Sequence, residues 1–450
     1  MSTTPFRAQL SRRVFLKAGA AVASAGFLAA CAPAAPAAPG EAAQGDAPTN
    51  EPFDLRVHIR AGGDLGDYMM TVLDQFKEIV PNAEVKLEIV PGNALDYAAK
   101  MLTLFAGDQI GDAIWSASRV GFNRRFMAVG LLMPLDSFVE AESFNVEQYY
   151  PNCIVEATYD GQLMALPHIS EPGQVGLMMN LDLFEQAGLE PLTFDSTMED
   201  LNNAAVAIRA SAGEGVYGFT RATDYFNWVT HVRSFGGDFL NAEGTECVLD
   251  ENAQAAFQHL YDLVYTLEVA PSPAQIAEDV GKMFQGASLA MGSGWPIQSS
   301  QWPMIITDFQ ADSTMIPPGP GGRGSMLNQH MMSVAAASTH PEAAWEWVKW
   351  TCSADFSLTR ALAGKGGPVG IAEVWHNEEL LTAFPSWREW AEVMDNVGPN
   401  YTAANLRGKE LEDTFNQGIS AIMVQEVGVE EGMERVKAAC QEVLNRPIAL

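Results

Sequence analysis

The chain has 450 residues, 48% of them hydrophobic, and 26 basic residues stand against 56 acidic ones for a formal net charge of −30. The apolar content suits a globular protein with a real core. A field of that sign repels nucleic acid and anionic lipid, which excludes partners recognised by a bulk positive charge.

The N-terminus reads as an address. Ser11-Arg12-Arg13-Val14-Phe15-Leu16-Lys17 carries a twin arginine, an uncharged apolar run from Ala18 to Ala30 follows, and Leu28-Ala29-Ala30 leads into Cys31. A positive segment, a short apolar segment and small residues before a cleavage point are the order of an export signal. Thirteen apolar residues are too few to span a bilayer, which takes about 20. The segment resembles a twin-arginine lipoprotein signal over residues 1–30, cut before Cys31, whose thiol takes the lipid. Residues 31–52 begin with an alanine–proline run and continue polar to Pro52. Such a stretch buries little and serves as a tether. The expected location is extracytoplasmic, anchored by lipid to the cell membrane.

From Phe53 onward, Leu55-Arg56-Val57-His58-Ile59 alternates as a strand, and Gly62-Gly63-Asp64-Leu65-Gly66 is a turn. Met69, Val72, Leu73, Phe76, Ile79 and Val80 recur at helical spacing until Pro81-Asn82 stops them. Val85, Leu87 and Ile89 mark a second strand, Ala98, Met101, Leu102 and Phe105 a second helix, and Asp112-Ala113-Ile114-Trp115 a third strand. Strand–helix–strand–helix–strand with short loops predicts a parallel sheet with helices on both faces, and ligands of such sheets sit beyond the carboxyl ends of the strands. That singles out the loops at 60–66 and 115–119.

Farther on, Leu163 to Pro167 predicts an apolar strand broken by proline, and Ser196-x-x-Glu199 a capping box opening a helix with Leu201, Ala205 and Ile208 on one face. Helices are expected to dominate from about 197 to 290. Pro317 to Gly322 interrupts the chain, Ser325 to Ala336 reads as extended, and a helix starts at Pro341. Two helices close the chain.

Gly319-x-Gly321-x-x-Gly324 fits a phosphate-loop pattern only formally, because it follows prolines and opens no helix. No metal-protease, P-loop or nucleophile-elbow motif occurs, and seven scattered histidines offer no catalytic constellation. That silence favours binding over catalysis. Cys153, Cys247, Cys352 and Cys440 remain after the signal, widely spaced. Their even number permits disulfides outside the cell, but folding before export by the twin-arginine route leads us to expect four buried free thiols. Of ten tryptophans, Trp345, Trp347 and Trp350 read as core. Trp295, in Gly292-Ser293-Gly294-Trp295-Pro296, sits in a turn and reads as a ligand contact.

Tyr159-Asp160-Gly161-Gln162-Leu163-Met164-Ala165-Leu166-Pro167, and Met179-Asn180-Leu181-Asp182-Leu183-Phe184-Glu185-Gln186-Ala187-Gly188-Leu189, resemble the signature of extracellular solute-binding proteins of carbohydrate ABC importers, the maltose-binding-protein-like family. Phe284 to Met291 and His340-Pro341-Glu342-Ala343-Ala344-Trp345 agree with that family too. Ala106 to Asp112 agrees except that Gly111 stands where the family has proline.

The resemblance implies an α/β, periplasmic-binding-protein-like type II fold: two lobes, 53–166 plus 318–352 and 167–317 plus 353–450, joined by a hinge and closing on ligand in the cleft between them. It implies a monomeric receptor with no cofactor and no enzymatic activity, handing a mono- or oligosaccharide to separate ABC permease subunits. The same fold binding a polyamine or a glycerol phosphate is the alternative, and a surface glycosidase a more distant one. Matched positions supply site candidates. Asp64 corresponds to an acid accepting sugar hydroxyls, Trp115 and Arg119 to contacts after the third strand or to structural residues, and Glu171 to a carboxylate acceptor or a solvated hinge charge. Tyr225 and Trp228 resemble an aromatic loop of the second lobe, Trp295 a stacking residue, and Tyr401 a contact in a turn.

Overall fold

Leu55, Val57 and Ile59 are buried in strand β1 (Phe53–Arg60), as their alternation requires, but His58 between them is buried as well. A strand in the middle of a sheet covered on both faces has no solvent side. The computed structural model describes residues 51–60, 64–276 and 279–450. The export signal, Cys31, the tether up to residue 50, and Gly62 and Gly63 lie outside the described residues, while Asp64, Leu65 and Gly66 of the expected turn already belong to a helix, Asp64–Ile79.

The other strands are β2 (Ala83–Val90), β3 (Ala113–Ala117), a hairpin of β4 (Thr158–Tyr159) and β5 (Gln162–Leu163), β6 (Leu166–Glu171), β7 (Gly176–Asn180), β8 (Tyr217–Thr220), β9 (Leu289–Gly294), β10 (Ala311–Met315) and β11 (Asn328–Val334). They form a five-stranded sheet ordered β2-β1-β3-β11-β6 and a four-stranded sheet ordered β10-β7-β9-β8. The parallel part of the first sheet is the one expected: β1 pairs in parallel with both β2 and β3. Strand β11 enters antiparallel between β3 and β6. Each sheet has its own apolar core; Trp345 and Trp347 belong to that of the first, with Trp350 packed against it. The fold is the mixed α/β, two-sheet architecture expected.

The chain passes between the sheets over residues 172–175 and again over 316–327, and helix Ala354–Leu362 is bonded to β6 just before the first crossing. Arg360 of that helix is fully buried and donates to the carbonyl oxygens of His168 (3.0 Å) and Gly367 (2.8 Å). His168 is available because β6 bulges there: Ile169 pairs with His330 and Pro167 with Met331, leaving one residue unpaired. A bulge is where a strand tolerates proline, so Pro167 lies inside β6 and does not end it.

One local expectation needs correction and two others gain detail. The capping box before helix Met198–Ala212 is Thr197 with Asp200, not Ser196 with Glu199; the Ser196 Oγ accepts instead from the Thr193 N–H at 2.9 Å. The stretch from 197 to 290 also contributes β8 and the start of β9, whose glycines dilute their apolar pattern. Gly111 is required by its surroundings: its N–H donates to His58 Nε2 at 2.8 Å, and a Cβ there would stand 2.7 Å from the Arg56 carbonyl oxygen. Proline has no N–H to give.

Cys153, Cys247, Cys352 and Cys440 are free and buried. Burial pushes the thiols of Cys153 and Cys352 up to about 12. Cys247 and Cys440 share a hydrogen bond, which lowers the first and raises the second. No helix among the described residues is long and apolar enough to cross a membrane.

Candidate ligand-binding site

The first sheet carries its polar and aromatic groups to one edge by register. Strands β1, β3 and β6 end at Arg60, Ala117 and Glu171, while the antiparallel β11 begins there with Asn328. His330 pairs with Ala117, and Asn328 with Glu171. From the second sheet, β9 ends at Gly294 and delivers Trp295, whose N–H donates to Gln298 Oε1 at 2.7 Å as helix Pro296–Ile305 begins. That helix is fastened from behind by the indole N–H groups of Trp387, to the Pro296 carbonyl at 3.1 Å, and of Trp390, to Ser299 Oγ at 3.0 Å.

Between these ends lies a cavity of about 520 Å³, walled mainly by the first sheet and its connecting segments, with Trp295 contributed from the end of β9. Four of the candidates from sequence line it: Trp115, Arg119, Glu171 and Trp295. Trp115 is only 3% exposed, held by the edge of Tyr97 (centroids 5.1 Å, 89°) and by His330 (5.0 Å, 70°). Trp295 is half-buried and so has more of its ring open. Glu171 is 8% exposed and accepts from Asn328 Nδ2 at 3.0 Å. Burial pushes its carboxyl up to about 7, against the opposing pull of Asn328 and Arg360. Arg119 stands with its guanidinium 5.6 Å from the centre of the Phe226 ring, on a helix of the second sheet's side.

Sequence reasoning missed Arg60, Asn93, Asn328 and His330 on the same wall. Arg60 was visible as the last residue of the first strand, just before a loop that topology marks for ligand. The other three had no local signal. Asn93 looks like a helix cap and is one, accepting from the N–H groups of Leu95 and Asp96. His330 is pulled down to about 3 by burial and by Arg60 and Arg360, and is therefore neutral.

Tyr225, Trp228 and Tyr401 are not brought to this cavity. Asp224 caps helix Tyr225–Ser234, and Tyr225 and Trp228 turn inward to pack edge-on against Phe415 at 5.9 Å each. Burying those rings removes more apolar surface from water than exposing them in a cleft would allow. Trp228 also borders a separate cavity of about 270 Å³ with Arg221 and Asn416. Tyr401 lies under the Arg233 guanidinium at 5.6 Å. Asp64 opens helix Asp64–Ile79, and its side chain lies outside the described residues.

Residues 62–355 match the family described as bacterial extracellular solute-binding protein. The chain belongs to that family. Its members are extracytoplasmic binding receptors, so family and fold agree. Among solved structures, the ABC substrate-binding protein Lmo0181 from Listeria monocytogenes, in complex with cycloalternan, is similar with a TM-score of 0.75 and 18% identity, over 88% of this chain and 99% of that one. Maltose-bound MalE3 of T. maritima gives 0.72 and 22%, over 86% and 99%. UgpB from Mycobacterium tuberculosis, in complex with glycerophosphocholine, gives 0.74 and 15%, over 88% and 99%. These solute-binding chains share the fold over nearly their whole length.

Proposed function

We propose that this family member is a membrane-tethered receptor that takes a sugar into the cavity between its two sheets, closes over it by a hinge and presents it to an ABC import permease. The observation that carries this reading is the cavity itself. Its volume of about 520 Å³ suits a small saccharide, and it sets an open aromatic, Trp295, among hydrogen-bonding groups of Glu171, Asn328 and Arg119. Aromatic faces hold the apolar side of a sugar ring, and polar groups satisfy the hydroxyls, each of which would cost roughly 1–3 kcal/mol if buried unpaired. The cycloalternan and maltose complexes of similar structures support a carbohydrate ligand.

The two lobes, expected as 53–166 plus 318–352 and 167–317 plus 353–450, are proposed with the first boundary moved to residue 171, because β6 pairs within the first sheet, and Arg360 ties His168 of β6 to Gly367. Cys31 is the proposed lipid anchor, the stretch to residue 52 the tether, and the receptor a monomer. A polyamine would want several acids around it, and among the described residues lining the cavity only Glu171 is acidic. The direct test is native mass spectrometry of the freshly purified chain, followed by calorimetric titration with a panel of mono- and oligosaccharides. Saturable binding of at least one sugar is expected. A complete absence of binding across a broad panel would reject the reading. Membrane fractionation of Cys31→Ser tests the tether separately: the variant should leave the membrane fraction.

A further inference from the structure

The cavity between the sheets has a charge opposite to that of the molecule. Arg60 and Arg119 both line it, in a chain whose net charge is −30. Arg60 donates through Nε to the Gly92 carbonyl at 3.0 Å and lies 6.0 Å from the centre of the Trp115 ring, so its two terminal amino groups have no protein acceptor among the described residues. Arg119 likewise has no ion-pair partner there; its guanidinium rests on the face of Phe226. Burial, and then repulsion from Arg119, lower the Arg60 guanidinium from its ordinary value.

Among the described residues no nearby acid forms an ion pair with either guanidinium. Glu171 is pushed towards neutrality by burial. Glu412 interacts with Arg119 from beyond ion-pair distance, and burial raises its carboxyl, as does Asp224 beside it. Asp96 accepts from Asn93 Nδ2 at 2.8 Å. His330 is neutral. Asn93, Ala94 and Leu95, the start of helix Ala94–Ala106, also form part of the wall, but that helix end is already capped by Asn93 and carries Asp96 in its first turn.

A half-buried guanidinium with unused donors is available to a ligand, and its planar fork fits the paired oxygens of a carboxylate or phosphate. We infer that the solute is an anionic saccharide, a sugar carrying a carboxylate or a phosphate ester, with Arg60 as the principal group pairing with the anion and Arg119 as the second. This rests on the sugar-receptor reading and narrows it.

The test is calorimetric titration of the purified full chain, wild type and Arg60→Gln, with three sets of ligands: uronic-acid saccharides, sugar phosphates, and neutral saccharides of matching size. One acidic set should bind roughly ten-fold or more tightly than its neutral counterpart, and Arg60→Gln should weaken acidic binding far more than neutral binding and so remove that advantage. Which acidic set responds identifies the anion. Neutral sugars binding as well as acidic ones, with Arg60→Gln affecting both alike, would overturn the inference and leave the receptor reading standing. Failure of all three sets would take down the receptor reading itself, and the inference with it.

Discussion

Asn328 Nδ2 donates to Glu171 Oε1 over 3.0 Å, joining the first residue of β11 to the last residue of β6 on the wall of the cavity. The bond favours the charged carboxylate, yet burial outweighs it and holds the carboxyl at about 7, against an ordinary 4.5. The folded protein therefore holds this proton where the unfolded chain has released it, and stability falls as pH rises from about 4.5 through about 7. Glu171→Gln mimics the protonated form. It should stabilise the chain at about pH 8 by up to about 3 kcal/mol and change little near pH 4. Urea denaturation at the two pH values measures the difference; an equal effect at both would contradict it.

Trp295 and Tyr225 are both aromatic, but alanine should act on them in opposite ways. Trp295→Ala removes a half-buried ring from the cavity wall, so sugar affinity should drop by roughly ten-fold or more while the melting temperature moves little. Tyr225→Ala opens a hole beside Phe226, Phe239 and Phe415, and should cost about 3–5 kcal/mol of stability. Calorimetry for binding and scanning calorimetry for unfolding separate the two effects.

Gly111 departs from its family's proline because His58 takes its N–H and the Arg56 carbonyl fills the space of a side chain. Restoring the proline should therefore destabilise this chain. Gly111→Pro loses a buried hydrogen bond worth about 1 kcal/mol and adds a steric clash, for a total of roughly 2 kcal/mol or more by chemical denaturation.

The thiols of Cys153 and Cys352 are buried and pushed up to about 12, so neither offers thiolate at neutral pH. In the native protein both should resist alkylation. Ellman titration of the denatured 53–450 fragment should find four thiols; a count of two would mean that Cys247 and Cys440, which share a hydrogen bond, have been oxidised to a disulfide.

The strands and helices up to residue 117 were legible because each is a local pattern: apolar alternation in β1 and β2, helical spacing between them, and turns of glycine and proline. Trp295 was legible as an aromatic residue flanked by glycine and proline. Tyr225 and Trp228 were misplaced because an aromatic run looks the same in a loop and in a core, and the capping signal of Asp224 was the only local hint of the helix that turns them inward. Strand β8 was hidden by its glycine and by the helices on either side.

What the amino-acid sequence determined by itself was the class of protein: an exported solute-binding chain of alternating strands and helices, because those traits are carried by short, contiguous patterns. What only tertiary structure decided was the composition of the site. Arg60, Trp115, Glu171, Trp295 and Asn328 come from five different strands or the residue just after one, spread over most of the chain. Strand register and the antiparallel entry of β11 set their proximity, and burial, a property of the assembled wall, sets the charge each one presents.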